Sequence, residues 1–186
     1  MVEKSDEQIV ALVQAGDAEA YGEIMSRYEN KLKRYAWRFL NTREEIDDLV
    51  QDVFIKTYTN IKSFNTSLRF SPWIYRIAHN TFVNELKRKK HIFNFFDSDT
   101  ILPLLASKET ADADTMDNEI NEELEIFVEK LPPKYREVIV LHYFESLSYQ
   151  EISEVLHIPV TTVGVRMTRG RNKLKGYYQL SEQNHE

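Results

Sequence analysis

The fold of this chain is restricted most strongly by a series of helix-start signals, each followed by apolar residues at helical spacing. Ser71-Pro72 places an N-cap residue before a proline at the first helical position. Three further pairs have the spacing of a capping box: Ser5 with Gln8, Thr42 with Glu45 and Ser148 with Glu151. No strand alternation or hairpin signal accompanies them. The sequence therefore predicts an all-α fold, with helices near residues 6–15, 18–40, 43–59, 72–90, 118–130, 133–145, 149–156 and 162–178.

The charge of the chain is distributed unevenly. The net charge of the 186 residues is −6, but between residues 92 and 123 Asp and Glu outnumber Lys and Arg by 9 to 1. The stretch SDTILPLLASKETADADTMDNE in this part lacks sustained periodicity and has the composition of a linker. We therefore expect two small helical domains, residues 1–91 and 118–186, joined by an acidic flexible linker at residues 92–117.

Several classes of protein are disfavoured by what the sequence lacks. The chain has no cysteine, and therefore no thiolate zinc site, disulfide or thiol nucleophile. Its N-terminus has no apolar signal segment, and no uncharged run approaches the roughly 18 residues that span a bilayer. These features predict a cytoplasmic protein without membrane insertion. We expect no metal and no cofactor.

Two short amphipathic runs near the C-terminus, in LSYQEISEVLHIPVTTVGVRMTRGRNKLK (147–175), predict a helix-turn-helix. The first run must end before Pro159, because the residue before a proline disfavours helical geometry. In the second run one face is apolar and suits a core: Val163, Met167, Gly170 and Leu174. A neighbouring face suits the major groove of DNA: Thr162, Arg166, Arg169 and Lys173. A helical hairpin with a solvated basic face is the plainer alternative.

The predicted helix at residues 43–59 carries an acidic face opposite an apolar stripe. The stripe consists of Ile46, Leu49, Val50, Val53, Phe54 and Tyr58, and the polar face of Asp47, Asp48, Gln51 and Asp52. Such a face is usually solvated, and as a functional surface it suits docking of a basic partner. A metal-dependent hydrolase built on these carboxylates is a weaker hypothesis, since no calcium-loop or Glu-x-x-His spacing accompanies them.

The following segment predicts a surface for unpaired nucleic acid. Ile74, Ile77, Ala78 and Phe82 form a packing stripe, while a second side combines aromatic, amide and basic groups: Trp73, Arg76, Asn80, Asn84, Lys87 and Arg88. Aromatic rings stack on bases while cations follow the phosphates. Trp73 in the core is an equally good interpretation. The loop at residues 63–70 suits a pocket for a flipped base, or an ordinary helix connection.

Five segments in this order and spacing resemble a known family: QAGDAEAYGEIMSRY (14–28), DDLVQDVFIKTYTNIKSF (47–64), FSPWIYRIAHN (70–80), LPPKYREVIVLHYFESLSYQEIS (131–153) and IPVTTVGVRMTRGRNKLK (158–175). The chain resembles a sigma factor of the extracytoplasmic-function (ECF) type, the small two-domain members of the sigma-70 family. The resemblance implies a non-enzymatic transcription initiation factor that directs bacterial core RNA polymerase to promoters. An autonomous helix-turn-helix regulator is the alternative, and it leaves the acidic face and the aromatic and basic stripe unexplained.

The resemblance also implies a role for each surface. Residues 1–91 would form sigma region 2, which binds the β′ clamp helices and melts the minus-10 element, and residues 118–186 would form region 4, which reads the minus-35 element and contacts the β flap. The implied polymerase contacts are Asp47, Asp48, Gln51, Asp52 and Lys56. The implied minus-10 contacts are Phe64, Asn65, Arg69, Phe70, Trp73, Tyr75, Arg76, Asn80, Asn84, Lys87 and Arg88. The implied minus-35 contacts are Thr161, Thr162, Val165, Arg166, Thr168, Arg169, Arg171 and Lys173.

The family further implies partners other than DNA and polymerase. Such proteins usually have a cognate anti-sigma factor that masks both domains, and this partner offers a route by which the protein is held at the membrane. In the absence of partners we expect a monomer. Gly164 departs from the family pattern, since Lys or Arg is frequent at this position of the recognition helix.

Overall fold

The computed structural model describes residues 4–37, 42–88 and 126–183, and in these ranges all regular structure is helical. The all-α prediction is therefore confirmed. The helices of the N-terminal domain are α1 (Asp6–Gln14), α2 (Tyr21–Ala36), α3 (Arg43–Asn60), a 3-10 turn (Ile61–Ser63) and α4 (Phe70–Arg88). The described part of the C-terminal domain has a helical turn at residues 126–129 and then α5 (Pro133–Tyr143), α6 (Tyr149–Leu156) and α7 (Val160–Gln183).

The capping signals were read correctly at two of four helix starts. The reciprocal bonds of a capping box form at Ser5 of α1 and at Ser148 of α6. Thr42 occupies the N-cap position of α3, but its side chain makes no capping hydrogen bond. The expected start of α4 at Ser71-Pro72 is wrong, because this helix begins at Phe70.

A backbone N–H in the first turn of α4 forms its hydrogen bond with a residue that is distant in the sequence. The Glu7 carboxylate on α1 accepts a hydrogen bond from the Phe70 backbone N–H at 2.9 Å. Partial burial opposes ionisation of this carboxyl, but the hydrogen bond from Phe70 and neighbouring donors hold the pKa of Glu7 below its ordinary value. The local sequence around residue 70 carries no sign of this contact, which joins residues 63 positions apart.

Aromatic rings from α2 and α4 form the centre of the N-terminal core. The rings of Tyr28 and Phe70 lie 5.6 Å apart, and those of Tyr35 and Tyr75 lie 5.4 Å apart, both edge to face. All four residues are buried. The Gln14 side chain donates to the backbone carbonyls of residues 61 and 64, at 2.7 and 2.8 Å, and so fixes the loop before α4 to the end of α1.

The C-terminal domain is a small core closed by the long helix α7. Val163 and Met167 of α7 are fully buried, and Gly170 lets the helix approach Ile139 of α5 closely. A Cβ atom at Gly170 would lie 3.1 Å from Ile139 Cγ1. The C-terminal domain also packs on the N-terminal domain, chiefly through α6 against α4.

Some expectations fall outside the described residues: the acidic linker at 92–117, the first part of the helix expected at 118–130, and the ends of the helices expected to reach residues 40 and 90. Helix α7 is longer than expected, since it begins at Val160 and continues to Gln183.

Candidate nucleic-acid interface

The turn between α6 and α7 is fixed by short-range contacts. Helix α6 ends at Leu156, and His157 adopts a left-handed backbone conformation with φ of 54°. The Ser153 hydroxyl donates to the Ile158 carbonyl at 2.6 Å, and Pro159 directly precedes α7. The two helices therefore have the arrangement of a helix-turn-helix, with α7 in the place of the recognition helix.

Helix α7 separates the two faces that the sequence predicts. Val163, Met167 and Gly170 are buried, and Leu174 is partly buried against the same core. Of the residues expected to contact minus-35 DNA, Thr162 and Arg166 are half-buried, and the others are exposed: Thr161, Val165, Thr168, Arg169, Arg171 and Lys173. The Thr168 hydroxyl donates to the Gly164 carbonyl at 3.0 Å, within the helix.

The basic groups of α7 are available for an anionic ligand. Within the described part of the chain, no carboxylate forms an ion pair with Arg166, Arg169, Arg171 or Lys173. Guanidinium groups on an exposed face of a recognition helix can bind guanine edges or phosphates.

The aromatic and basic stripe on α4 is only partly exposed. Arg76, Asn80, Asn84, Lys87 and Arg88 are exposed, as is Asn65 in the preceding loop. Arg88 is held by Glu85 one turn earlier, at 2.8 Å. Trp73 is half-buried between two rings, with its centroid 5.1 Å from that of Phe64 and 5.6 Å from that of Phe70.

Three residues expected to contact minus-10 DNA belong to the core of this conformation. Phe64 is 6% exposed, and Phe70 and Tyr75 are fully buried. Phe70 packs on Tyr28 and Tyr75 packs on Tyr35, so in this arrangement they support the helix. Arg69 is exposed but forms an ion pair with Glu151 of α6 at 3.0 Å. Direct contact of these residues with DNA stays a prediction.

The acidic face of α3 is exposed as expected. Asp48, Gln51 and Asp52 point to solvent, while Asp47 is half-exposed and pairs with Lys33 of α2 at 2.9 Å. The exposed residue Lys56, also expected to contact polymerase, donates to the Thr81 hydroxyl of α4 at 3.1 Å.

Two apolar residues extend this face, and the sequence reasoning missed both. Tyr58, placed in the buried stripe from its spacing, is 45% exposed and packs on the Tyr21 ring at 5.0 Å. Ile55 is 56% exposed. An apolar residue one turn after Asp52 on a polar face is the signal by which Ile55 could have been found.

The described residues do not support a metal site or a bilayer span. They contain no group of three or more His, Cys, Asp or Glu side chains placed to hold a metal ion. None of the described helices is both long enough and apolar enough to cross a membrane.

Comparison with known proteins identifies the class of the two domains. Residues 24–92 match the family "Sigma-70 region 2", and residues 122–174 match "Sigma-70, region 4". The chain therefore combines the two domains of a small sigma-70-type factor.

Full-length relatives identify the family within this class. The ECF RNA polymerase sigma factor SigW of Bacillus subtilis is 35% identical over 171 residues, which cover 88% of this chain and 91% of that protein. The ECF RNA polymerase sigma-E factor of Haemophilus influenzae is 35% identical over 183 residues, which cover 94% and 96% of the two chains. This chain belongs to the ECF sigma factors.

Solved structures share the fold. The sigma factor RpoE of Bartonella quintana, in complex with the anti-sigma factor NepR, has a TM-score of 0.66 at 20% identity, over 86% of this chain and 96% of that one. CnrH, in complex with the cytosolic domain of CnrY, has a TM-score of 0.65 at 23% identity, over 95% and 99% of the two chains.

Family membership establishes the function. The protein is a transcription initiation factor that directs core RNA polymerase to promoters, and it has no enzymatic activity of its own. The autonomous regulator is not favoured, because relatives match both domains along nearly the whole chain.

Proposed function

We propose that three surfaces of this sigma factor divide the work of initiation: the acidic face of α3 binds polymerase, the stripe on α4 binds the minus-10 element, and the basic face of α7 binds the minus-35 element. The observation that carries this proposal is the exposed, carboxylate-free basic face of α7 behind a fixed turn. In this proposal residues 1–91 and 118–186 are the two working domains, and residues 92–117 form the acidic linker between them.

The polymerase-binding surface is proposed to consist of Asp47, Asp48, Gln51, Asp52 and Lys56. The carboxylates suit a basic partner, and complementary charge mainly accelerates and orients such an encounter. Ile55 and Tyr58 add an exposed apolar area beside them, and a charged rim around an apolar centre is the usual composition of a specific interface. The proposed partner is the pair of β′ clamp helices, with the β flap contacting the C-terminal domain.

Charge reversal tests this surface. Asp48→Arg and Asp52→Arg should prevent co-purification with core polymerase, while circular dichroism stays unchanged because both residues are exposed. Glu19→Arg is the matched control, since Glu19 is an exposed acid in the turn after α1. Undiminished co-purification of both α3 variants would remove these carboxylates from the interface.

The minus-10 surface is proposed to use exposed and half-exposed groups for contact and buried ones for support. The proposed contacts are Asn65, Arg69, Trp73, Arg76, Asn80, Asn84, Lys87 and Arg88. Phe64, Phe70 and Tyr75 are buried and would hold the helix and the Trp73 ring in place. Permanganate footprinting of unpaired thymines, with Trp73→Ala against wild type in the holoenzyme, tests the stacking role. Unchanged promoter melting by the Trp73→Ala variant would exclude a stacking role for Trp73.

The minus-35 surface is proposed to comprise Thr161, Thr162, Val165, Arg166, Thr168, Arg169, Arg171 and Lys173. Exposed Arg residues can read bases, while Lys173 suits a phosphate. Thr168, whose hydroxyl is engaged within the helix, offers its methyl group instead.

We further propose that the protein works in the cytoplasm and is regulated by an anti-sigma factor. The sigma factor RpoE of the same fold was solved with the anti-sigma factor NepR, which supports such a partner for this chain. CnrH, also of this fold, was solved with the cytosolic domain of CnrY, which supports a cytoplasmic location. Co-purification of a genomically tagged copy under non-inducing conditions tests it. Recovery with polymerase alone under every condition would contradict it.

A further inference from the structure

The contact between the two domains contains most of the buried polar side chains of the described residues. Five polar or charged residues are buried in the described parts of the chain: Thr57, His79, Thr81, Glu137 and Glu145. Three of them, His79, Glu137 and Glu145, lie at the contact between the domains. His79 comes from α4, whereas Glu137 and Glu145 belong to the C-terminal domain. Burying a carboxylate is unfavourable unless it is paired and hydrogen-bonded, so buried carboxylates at this contact require partners.

Glu137 of α5 is inserted between two residues of the N-terminal domain. Its carboxylate lies 2.8 Å from His79 Nδ1 and accepts a hydrogen bond from the Tyr35 hydroxyl at 3.2 Å. The Tyr35 hydroxyl also lies 3.2 Å from His79 Nδ1, so the three groups are mutually in contact. Their burial depends on both domains, because each contributes at least one member.

Glu145 is buried in the C-terminal domain and acts electrostatically on two phenols of the N-terminal domain. Burial and then the nearby Glu145 carboxylate raise the pKa of Tyr75 far above its ordinary value. Burial chiefly, followed by Asp6, Glu7 and Glu145, has the same effect on Tyr28. Arg34 is the nearby cation that opposes this shift at Tyr75.

A third carboxylate of the C-terminal domain holds Arg69. Arg69 Nη1 donates to both oxygens of Glu151 at 3.0 Å and to the Ser146 carbonyl at 3.3 Å. Glu151 is also the residue that completes the capping box of α6, where its carboxylate accepts from the Ser148 N–H at 2.7 Å. The position of the Glu151 carboxylate is therefore fixed by the local fold, and the Arg69 side chain extends from the N-terminal domain to reach it.

We propose that the C-terminal domain is an intramolecular competitor of promoter DNA: Glu137 docks on Tyr35 of α2 and His79 of α4, and Glu151 occupies Arg69 with a carboxylate where a phosphate would bind. This inference rests on the proposed role of Arg69 in minus-10 binding. The exposed pair of Arg69 and Glu151 is weak by itself, since surface ion pairs contribute little. The buried contacts of Glu137 with His79 and Tyr35 hold the domains together, and the closed arrangement keeps Arg69 from binding DNA.

The closed arrangement affects the two DNA surfaces differently. The basic face of α7 stays exposed, whereas Arg69 must leave Glu151 before it can bind a phosphate. The apparent affinity of the N-terminal domain for DNA is then the affinity of the open form multiplied by the fraction of molecules that are open. If one molecule in ten is open, complete opening increases the affinity for DNA about 10-fold.

Opening can be measured in the full-length protein, because the chain has no cysteine and two introduced thiols are labelled uniquely. Exposed Glu19→Cys and Gln179→Cys place a dye pair on the two domains for energy transfer. Glu137→Lys combined with Glu145→Lys should lower the transfer and increase affinity for mixed-sequence single-stranded DNA several-fold. Glu154→Lys together with Gln150→Lys on α6, which adds positive charge outside the carboxylate contacts, is the control and should change the transfer little.

Two outcomes would overturn the proposal, and they are distinguishable. Unchanged energy transfer in the double Lys variant would show that these carboxylates do not hold the domains together. Lower transfer with no loss of DNA affinity when Arg69→Ala is added to the opened variant would show that Arg69 does not bind DNA, and the proposed role of Arg69 would fail with it. Glu137→Gln, which keeps the shape of the side chain, provides a milder variant whose transfer should lie between wild type and the double Lys variant.

Discussion

The two helices proposed to meet DNA, α4 and α7, differ in what else they must do. Helix α7 assigns packing to one face and its cations to another, so its basic residues have no carboxylate partner among the described residues. Helix α4 uses Phe70 and Tyr75 in the core, and the Arg69 just before it pairs with the other domain. The periodicity of α7 is therefore sufficient to predict its DNA-facing residues. In α4 the same kind of prediction fails for some residues, because they also pack in the core or against the other domain.

Core truncations on the two helices test whether the domains unfold together. Ile74→Ala in α4 and Met167→Ala in α7 each remove a fully buried side chain and should cost about 2–5 kcal/mol of unfolding free energy. The two tryptophans, Trp37 and Trp73, both lie in the N-terminal domain. With the domains docked, Met167→Ala should lower the urea midpoint seen by tryptophan fluorescence as well as by circular dichroism. A shift in circular dichroism alone would mean that the domains unfold independently.

Substitutions in α7 test whether its exposed basic residues distinguish bases in the minus-35 element. Arg166→Ala or Arg169→Ala should weaken minus-35 discrimination by about 1–3 kcal/mol, roughly 5- to 150-fold, where the Arg makes a bidentate base contact. The measurement is holoenzyme affinity for promoters with single changes in the minus-35 element. Lys173→Ala is the matched phosphate-type variant. If an Arg variant lowers the affinity equally for every promoter sequence, that Arg contacts the DNA phosphate backbone, as is expected of Lys173.

Two of the interior glycines of α7, Gly170 and Gly164, should respond to Ala substitution in opposite directions. Gly170→Ala places a Cβ 3.1 Å from Ile139 Cγ1, and overpacking of this kind typically costs about 1–3 kcal/mol. At Gly164 the nearest atom to such a Cβ is Tyr149 Cε2 at 4.0 Å, so Ala should stabilise the helix by about 0.5–1 kcal/mol. Thermal unfolding of both variants measures the difference. Destabilisation by Gly164→Ala would contradict the open space at that position.

The helix caps provide the smallest expected effects. Ser148→Ala removes the hydroxyl that accepts from the Glu151 N–H and should cost about 1 kcal/mol. Thr42→Ala should cost clearly less, because the Thr42 side chain makes no capping hydrogen bond. Urea denaturation compares the two. Equal losses would show that Thr42 caps α3 in solution.

These cases also show which features a single sequence can predict. The capping box at Ser148 and the buried face of Val163 and Met167 depend on residues within two turns, so local pattern was sufficient. The start of α4 depends on Glu7, and the burial of Glu137 depends on His79 in the other domain. Contacts between residues this far apart leave no local periodicity. The exposure of Tyr58 was mispredicted for the same reason, since spacing shows a face but not what covers it.

Run-off transcription with purified core polymerase and a pool of genomic promoter fragments, with and without this protein, is the most direct test of its function. Discrete transcripts that require the protein, and are lost with Asp48→Arg, are the predicted result. Failure of the wild-type protein to bind core polymerase or to create new start sites would contradict its role in promoter selection.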